Sequence, residues 1–472
     1  MNINLKITQF FRKIWDSPTW TTLLIQIIAP LNFLLLTPLV LTRFSTLELD
    51  VFYLIASTTI LFSLFQNRFS NVFERMLSFA FGGASDLGKW TGDKAPSTGE
   101  PNWEMFKEAY MALGALLFIS CLPSLIMSVG LMWLSVGFLV DFSYQDRSLW
   151  IGAILGAVSP SVSFLMLRPN LALRATGKIA LQNRINTIAG VASIVVSAIV
   201  VLAGGRLIGI ICVRLFFTTL ARWVMIQFLS VEVKPYASKF KWSSKIFAWA
   251  REPIWKGLVS VLAGMGVHRG VGVFLAFTGS VGFAAPFLFI QSLLTTCQGI
   301  ACAPLYSQIP RYSKMLEEGK RAEIGADSFL RIVFTTLLMA AAVLGVSFVI
   351  PAVLPLVGAN MTPLSATDSL LLGGLRCVYW PLICFNTVQG VSNDVKVVWR
   401  FVFAMPFAIL LFYIGSQTQQ YYWFSLGMYL PYIVALNWFT WGNYLEFIGK
   451  DWLGIAKGAQ AIARKRIPNF FS

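Results

Sequence analysis

The chain has 472 residues, of which 57% are hydrophobic and only 12% are charged, and its mean hydropathy is +0.70. Soluble domains carry about twice that share of charged residues. The composition therefore excludes a water-exposed globular protein and indicates that lipid surrounds most side chains. A net charge of +16 would suit nucleic acid in a soluble protein. Here the basic residues lie between apolar runs, so we interpret them as a topology signal and expect no nucleic-acid partner.

Twelve apolar runs follow a basic N-terminal segment at residues 1–19 and predict about twelve transmembrane helices. A helix needs about 20 apolar residues to cross a bilayer. We place the spans at approximately 20–41, 50–80, 108–136, 150–168, 182–203, 207–229, 256–278, 282–307, 329–351, 366–391, 397–415 and 420–446. The expected fold class is an all-α membrane protein.

The loops between these spans share the basic residues unequally. If the N-terminus is cytoplasmic, most of the 37 lysines and arginines lie in cytoplasmic segments, and the external segments hold only Arg43, Arg147 and Arg206. Because positive residues favour the cytoplasmic side, this asymmetry predicts that both termini are cytoplasmic. The chain would then end in a basic cytoplasmic tail at residues 447–472.

A polar segment at residues 230–255 divides the predicted spans six and six. We expect it to be a cytoplasmic linker between an N-lobe of six helices at 20–229 and a C-lobe of six helices at 256–446. Many transporters are built from two related halves with the substrate site at the interface between them. The division therefore favours two lobes around a central cavity.

Arginines inside the predicted spans are the residues best suited to binding. An ionised side chain near the bilayer centre costs several kcal/mol, so it needs a polar cavity or a partner. Arg269 and Arg376 fall near mid-depth in the seventh and tenth spans. Arg214 lies about a third of the way along the sixth span from the outside, and Arg68 lies in the cytoplasmic half of the second. No Asp or Glu is predicted at mid-depth in any span. This favours an anion-binding cavity over an ion pair, because guanidinium donates two parallel hydrogen bonds to phosphate.

The single histidine, His268, lies next to Arg269 in the seventh span. It fits two interpretations, a hydrogen-bonding core residue or a group that changes charge near neutral pH. The sequence lacks a glycine-rich phosphate loop with a lysine and lacks a paired histidine–glutamate motif. We therefore expect neither an enzyme nor a bound cofactor or metal.

Two segments at corresponding places in the two halves carry a family resemblance. The segment at 36–84 contains Pro38, Arg43, Ser45, Glu48, Phe52, Tyr53, Arg75, Gly82, Gly83 and Ala84. The segment at 278–319 contains Gly279, Val281, Gly282, Pro310, Tyr312, Leu316 and Gly319. Both resemble the polysaccharide exporters and O-antigen flippases of the multidrug/oligosaccharidyl-lipid/polysaccharide (MOP) exporter superfamily.

The resemblance implies a MATE-like fold with two six-helix lobes around a V-shaped cavity that opens alternately to each side. It implies a polyprenyl-pyrophosphate-linked oligosaccharide as substrate, an O-antigen or other surface polysaccharide unit of lipopolysaccharide biosynthesis, and a place in the bacterial inner membrane. It also implies membrane lipids, a polysaccharide polymerase and chain-length machinery as partners.

In that family, cavity arginines are thought to meet the pyrophosphate or acidic sugars. In this chain that role would fall to Arg269, Arg376 and Arg214. Relatives often carry an acidic residue where this chain has His268 and Arg269. The departure argues against carboxylate-based ion coupling.

Two other functions are compatible with a polytopic membrane protein. A multidrug/ion antiporter of the same superfamily would need an intramembrane carboxylate for its ion and its cationic drug. A membrane glycan polymerase or ligase would generally present a sizeable external catalytic loop. The longest external loops expected here, 137–149 and 352–365, are short, so a flippase is the favoured function.

Overall fold

The computed structural model describes residues 18–84, 100–140, 146–165, 167–261, 267–306, 320–389, 398–449 and 454–460, with the isolated positions 308, 309, 312 and 315. Helices dominate these residues. In chain order they are α1 (Pro18–Arg43), α2 (Thr46–Phe81), α3 (Trp103–Val140), α4 (Arg147–Leu165), α5 (Arg168–Ala175), α6 (Ile179–Leu202), α7 (Leu207–Gln227), α8 (Ser244–Val261), α9 (Val267–Ala276), α10 (Ala284–Tyr306), α11 (Arg321–Leu356), α12 (Ala366–Gln389), α13 (Val398–Thr418) and α14 (Tyr421–Ile448).

These helices confirm the all-α membrane fold class. Among the described residues, eight helical segments are long and apolar enough to cross a bilayer. The helix α3 presents a stripe of outward-facing apolar residues, Phe118, Leu122 and Ile126, each more than 60% exposed. Their spacing of four residues places them on one face of the helix. A continuous exposed apolar stripe of this kind requires lipid as its neighbour.

The predicted seventh span differs from the observed helices. The helix α8 begins at Ser244, inside the segment predicted as a linker, and α9 covers Val267–Ala276. Residues 262–266 lie outside the described part of the chain, as do 1–17 of the N-terminal segment and 461–472 of the predicted tail.

Local sequence explains where two of the helices begin and end. Ser45 and Glu48 form a capping box at the start of α2, each side chain bonding the other residue's backbone N–H, which satisfies two of the unpaired donors of the first turn. At the other end of the chain, α14 stops at Gly449, which has a φ of +68°. Glycine adopts this left-handed conformation without steric cost.

The chain forms two compact units. Unit 1 comprises residues 1–261, 279–285 and 359–361, and unit 2 comprises 262–278, 286–358 and 362–472. In unit 1, α1 packs along α6, α3 packs against both α2 and α4, and α8 packs against α2. The largest buried side chains of its core include Phe73, Phe106 and Tyr110.

Asp50 binds the segment at residues 279–285, which belongs to unit 1 although it comes from the second half of the sequence. It is the fifth residue of α2 and is fully buried. Its Oδ2 accepts the Gly282 N–H at 2.5 Å and its Oδ1 accepts the Ala285 N–H at 2.6 Å. The first-turn amides of a helix have no partner within the helix, so this carboxylate caps α10. Gly282 can take its φ of +84° because it lacks a Cβ.

In unit 2, α14 packs along α12 and α13, α11 packs against α12, and α9 contacts both α13 and α14. Its core contains Cys302, Phe385 and Tyr444. Residues 454–460, inside the predicted tail, are helical, and Ile455 is buried in that same core. The start of the tail is therefore part of unit 2, while Lys457 stays exposed.

Candidate functional site

A cavity of about 80 Å³ lies within unit 2 where α9, α10, α12 and α14 meet. Four aromatic rings, three polar side chains and one guanidinium contribute to its wall. The lining residues are His268, Gln291, Thr295, Gln298, Arg376, Tyr379, Trp380, Ile383, Met428 and Tyr429. These residues include no aspartate or glutamate that could neutralise the guanidinium. The cavity therefore combines the positive charge of Arg376 with aromatic surface.

Arg376, from the middle of α12, supplies that charge. Its side chain is only 6% exposed. Its Nε donates to Gln298 Oε1 at 2.8 Å and its Nη2 donates to Thr295 Oγ1 at 3.1 Å. A second bond joins Nη2 to Gln298 Oε1, and Nη1 approaches the Gln291 carbonyl at 3.4 Å. Every acceptor is neutral, so hydrogen bonding is satisfied while the positive charge is not neutralised.

Another arginine of unit 2, Arg331, differs from Arg376 because it forms an ion pair. Arg331 Nε donates to Asp327 Oδ2 at 2.9 Å, and Nη1 donates to the Pro304 carbonyl at 2.8 Å. Among the residues that the structure describes, Arg376 makes no comparable ion pair. Arg331 is thus a structural arginine, whereas Arg376 keeps a charge that an incoming anion could neutralise. Hydrogen bonds to an anion are roughly twice as strong as those to neutral acceptors.

The three polar partners of Arg376 come from α10. Gln291, Thr295 and Gln298 are separated by four and three residues, which places them on one helix face. None of these three residues was predicted from the sequence as part of a site. The signal that would have found them is this polar stripe in an otherwise apolar span.

His268 lies in the same cavity, surrounded by tyrosine rings. Its ring centroid is 4.7 Å from that of Tyr432, 5.1 Å from that of Tyr379 and 5.2 Å from that of Tyr429. Gln291 Nε2 donates to the His268 carbonyl at 2.9 Å. The backbone carbonyl of Gln291 also faces the Arg376 guanidinium. Gln291 therefore links the backbone of α9, through its side chain, to Arg376, through its own backbone.

The other predicted site residues have different positions. Arg214 belongs to unit 1, where its Nη2 is 3.5 Å from Asn32 Oδ1 and its Cζ is 5.4 Å from the Phe52 ring centroid. The backbones of Arg269 and Arg68 lie in α9 and α2, and their side chains fall outside the described part of the structure. The structure thus brings together Arg376 and His268 of the five predicted residues.

No family model matches this chain, and no curated protein matches its sequence. Three solved structures are similar in fold. The lipid II flippase MurJ, in an inward-closed conformation, is 12% identical with a TM-score of 0.63, and the match covers 93% of this chain and 89% of that one. The MATE multidrug transporter DinF-BH is 10% identical with a TM-score of 0.58, over 94% and 97% of the two chains.

An inward-facing multidrug resistance MATE transporter of the MOP superfamily is 14% identical with a TM-score of 0.52, over 90% and 99% of the chains. At these identities the likeness shows the fold alone. It confirms the MATE-like architecture predicted from the sequence, and the structural neighbours of this multi-pass membrane protein are a lipid II flippase and two MATE transporters, one of which is described as a member of the MOP superfamily.

Proposed function

We propose that this protein is a flippase that moves a polyprenyl-pyrophosphate-linked oligosaccharide, an O-antigen or other surface polysaccharide unit, across the bacterial inner membrane by alternating access. The observation that carries the proposal is Arg376, a buried guanidinium with neutral partners in a cavity lined by no carboxylate. Such a site attracts an anion, because a low effective dielectric strengthens charge–charge interactions. Pyrophosphate is the anion that the proposed substrate carries.

The aromatic wall of the cavity supports a sugar-bearing substrate. Tyr379, Trp380 and Tyr429 line it next to the guanidinium. Aromatic rings offer a large apolar face, and tyrosine and tryptophan add a polar edge, which suits the mixed surface of a sugar ring. The MurJ fold neighbour, a lipid II flippase, agrees with a lipid-linked glycan. Arg269, Arg214 and Arg68 remain proposed contributors.

The alternative is a multidrug antiporter, which the MATE neighbours favour. Thermal melting of the purified protein in lipid nanodiscs distinguishes the two functions. We expect a polyprenyl pyrophosphate to raise the melting temperature, because a ligand that binds the native state stabilises it. The matching polyprenyl alcohol and a lipophilic cation should have no such effect. Stabilisation by the cation and not by the pyrophosphate would favour the antiporter.

The orientation of the chain in the membrane is a separate proposal. Because the basic residues concentrate on one side of the predicted topology, we propose that both termini are cytoplasmic and that the two six-helix lobes are joined there. A periplasm-active phosphatase fused after Ser472 should be inactive, and the same reporter inserted within 137–149 should be active. Strong activity of the C-terminal fusion would contradict an even number of spans.

A further inference from the structure

A patch of alternating lysine and aromatic side chains lies in unit 1 between α7 and α8. Lys239, Phe240, Lys241 and Trp242 follow one another directly, and Lys245 is the second residue of the following helix, α8. Phe240 is 55% exposed and Trp242 is 47% exposed, and the three lysines are exposed as well. We call these five residues the lysine–aromatic patch.

A buried arginine holds the patch in place. Arg168 is 3% exposed, and its Nη2 donates to the carbonyls of Tyr236 at 3.2 Å and Lys239 at 2.9 Å. Its Cζ lies 5.0 Å from the Phe240 ring centroid. Gly114 leaves the room that the guanidinium needs, since a Cβ at that position would approach it to 2.5 Å. The patch is therefore ordered before any ligand binds, which lowers the entropic cost of binding.

The patch continues into the lipid-facing surface of α3. The Phe240 ring centroid lies 5.8 Å from that of Phe118, which belongs to the exposed apolar stripe described above. The Lys241 N–H also meets the Met111 carbonyl of α3 at 3.4 Å. Phe240 is thus placed at the edge of the apolar surface, where aromatic residues of membrane proteins meet the headgroup region, and Trp242 follows it two residues later with its ring against Phe247.

The charge of the patch is positive. The Lys239 ammonium lies 4.7 Å from the Tyr236 ring centroid and that of Lys245 lies 4.9 Å from Trp249. Within the described residues none of the three lysines forms an ion pair. Glu108 accepts the hydroxyl of Ser243, the residue that follows Trp242, at 2.7 Å. The three lysines of the patch outnumber the carboxylate of Glu108, so the net positive charge favours binding of an anion.

We propose that the lysine–aromatic patch binds the headgroup of an anionic phospholipid. The phosphate would meet Lys239, Lys241 and Lys245, while Phe240 and Trp242 would lie at the boundary between headgroup and acyl chains. Basic residues beside a membrane surface attract anionic lipid, and each strengthens binding roughly fivefold. The continuity with the lipid-facing stripe selects a lipid over a soluble anion.

Native mass spectrometry of the detergent-solubilised protein tests this site. We expect the wild-type protein to retain phosphatidylglycerol in preference to phosphatidylcholine. The double variant Lys239→Gln, Lys241→Gln should bind phosphatidylglycerol about 25-fold more weakly with an unchanged melting temperature. The matched control Lys234→Gln, Arg251→Gln also removes two positive charges from residues 230–255, but both residues lie outside the lysine–aromatic patch, so this variant should retain the lipid.

Three results would overturn the proposal. Equal loss of phosphatidylglycerol in the two double variants would mean that general basicity, and not the patch, attracts the lipid. Equal retention of both lipids by the wild-type protein would show no selectivity for the anionic headgroup. Displacement of the lipid by millimolar glycerol phosphate would identify the ligand as a soluble phosphate.

Discussion

Arg376→Ala is expected to weaken binding of a polyprenyl pyrophosphate by roughly ten- to a hundred-fold, the range that follows from losing a charge-assisted hydrogen bond. The variant removes the positive charge that the cavity of unit 2 holds among neutral acceptors. In cells we expect surface glycan to disappear while the protein level stays near normal. Arg376→Lys should restore export only in part, because lysine keeps the charge but loses the planar fork.

Gln298→Glu tests the same charge without removing the arginine. Gln298 already bonds Arg376 through Oε1, so glutamate at this position would supply a built-in anion of nearly the same shape. The arginine would then resemble Arg331, which is paired with Asp327. We expect the Gln298→Glu protein to fold normally and to lose pyrophosphate binding, as measured by thermal shift in nanodiscs.

The control for both experiments is Arg222→Ala. Arg222 lies in α7 of unit 1, where its Nη1 contacts Met225 Sδ at 3.5 Å, and it is not among the residues that line the cavity. Its loss should affect export less than the loss of Arg376. Normal glycan export by the double variant Arg269→Ala, Arg376→Ala would refute the anion-cavity hypothesis and leave the fold assignment unaffected.

Asp50→Asn is expected to destabilise the protein by about 1–3 kcal/mol, the cost of leaving a buried polar group unpaired. Both carboxylate oxygens of Asp50 accept backbone N–H groups at the start of α10. The asparagine amide keeps one acceptor and turns an N–H₂ group toward the second backbone donor. Thermal unfolding in detergent should show a clear fall in melting temperature.

Asp368→Asn serves as the matched control for that substitution. Asp368 accepts the Ser365 hydroxyl at 2.6 Å in an exposed position at the start of α12, where water can replace the lost acceptor. Its melting temperature should stay close to that of the wild-type protein. If the two asparagine variants melted at the same temperature, Asp50 would not be the carboxylate that fixes the start of α10.

The pattern of apolar runs was sufficient to predict the fold class. Since the bilayer interior offers no hydrogen-bond partners, a chain with this many long apolar runs must form helices there. The confirmed all-α fold follows from that constraint. Helix limits such as Ser45 and Gly449 could also be read locally, because caps depend on neighbouring residues. The start of the seventh span could not be predicted from the local sequence, because residues 244–261 form one helix that crosses the predicted boundary between the linker and the span.

The sequence by itself singled out Arg376 and His268, together with Arg269, Arg214 and Arg68, because a charge or a titratable group inside an apolar span is conspicuous. It could not reveal that Gln291, Thr295 and Gln298 surround the guanidinium, nor that three tyrosine rings from α12 and α14 surround His268. It also gave no sign that Asp50 caps α10, a helix that starts more than 200 residues later. These contacts join residues that are distant along the chain. The length of an apolar run determines that a segment enters the membrane, but the side chains it meets there depend on how the helices pack, which only the tertiary structure decides.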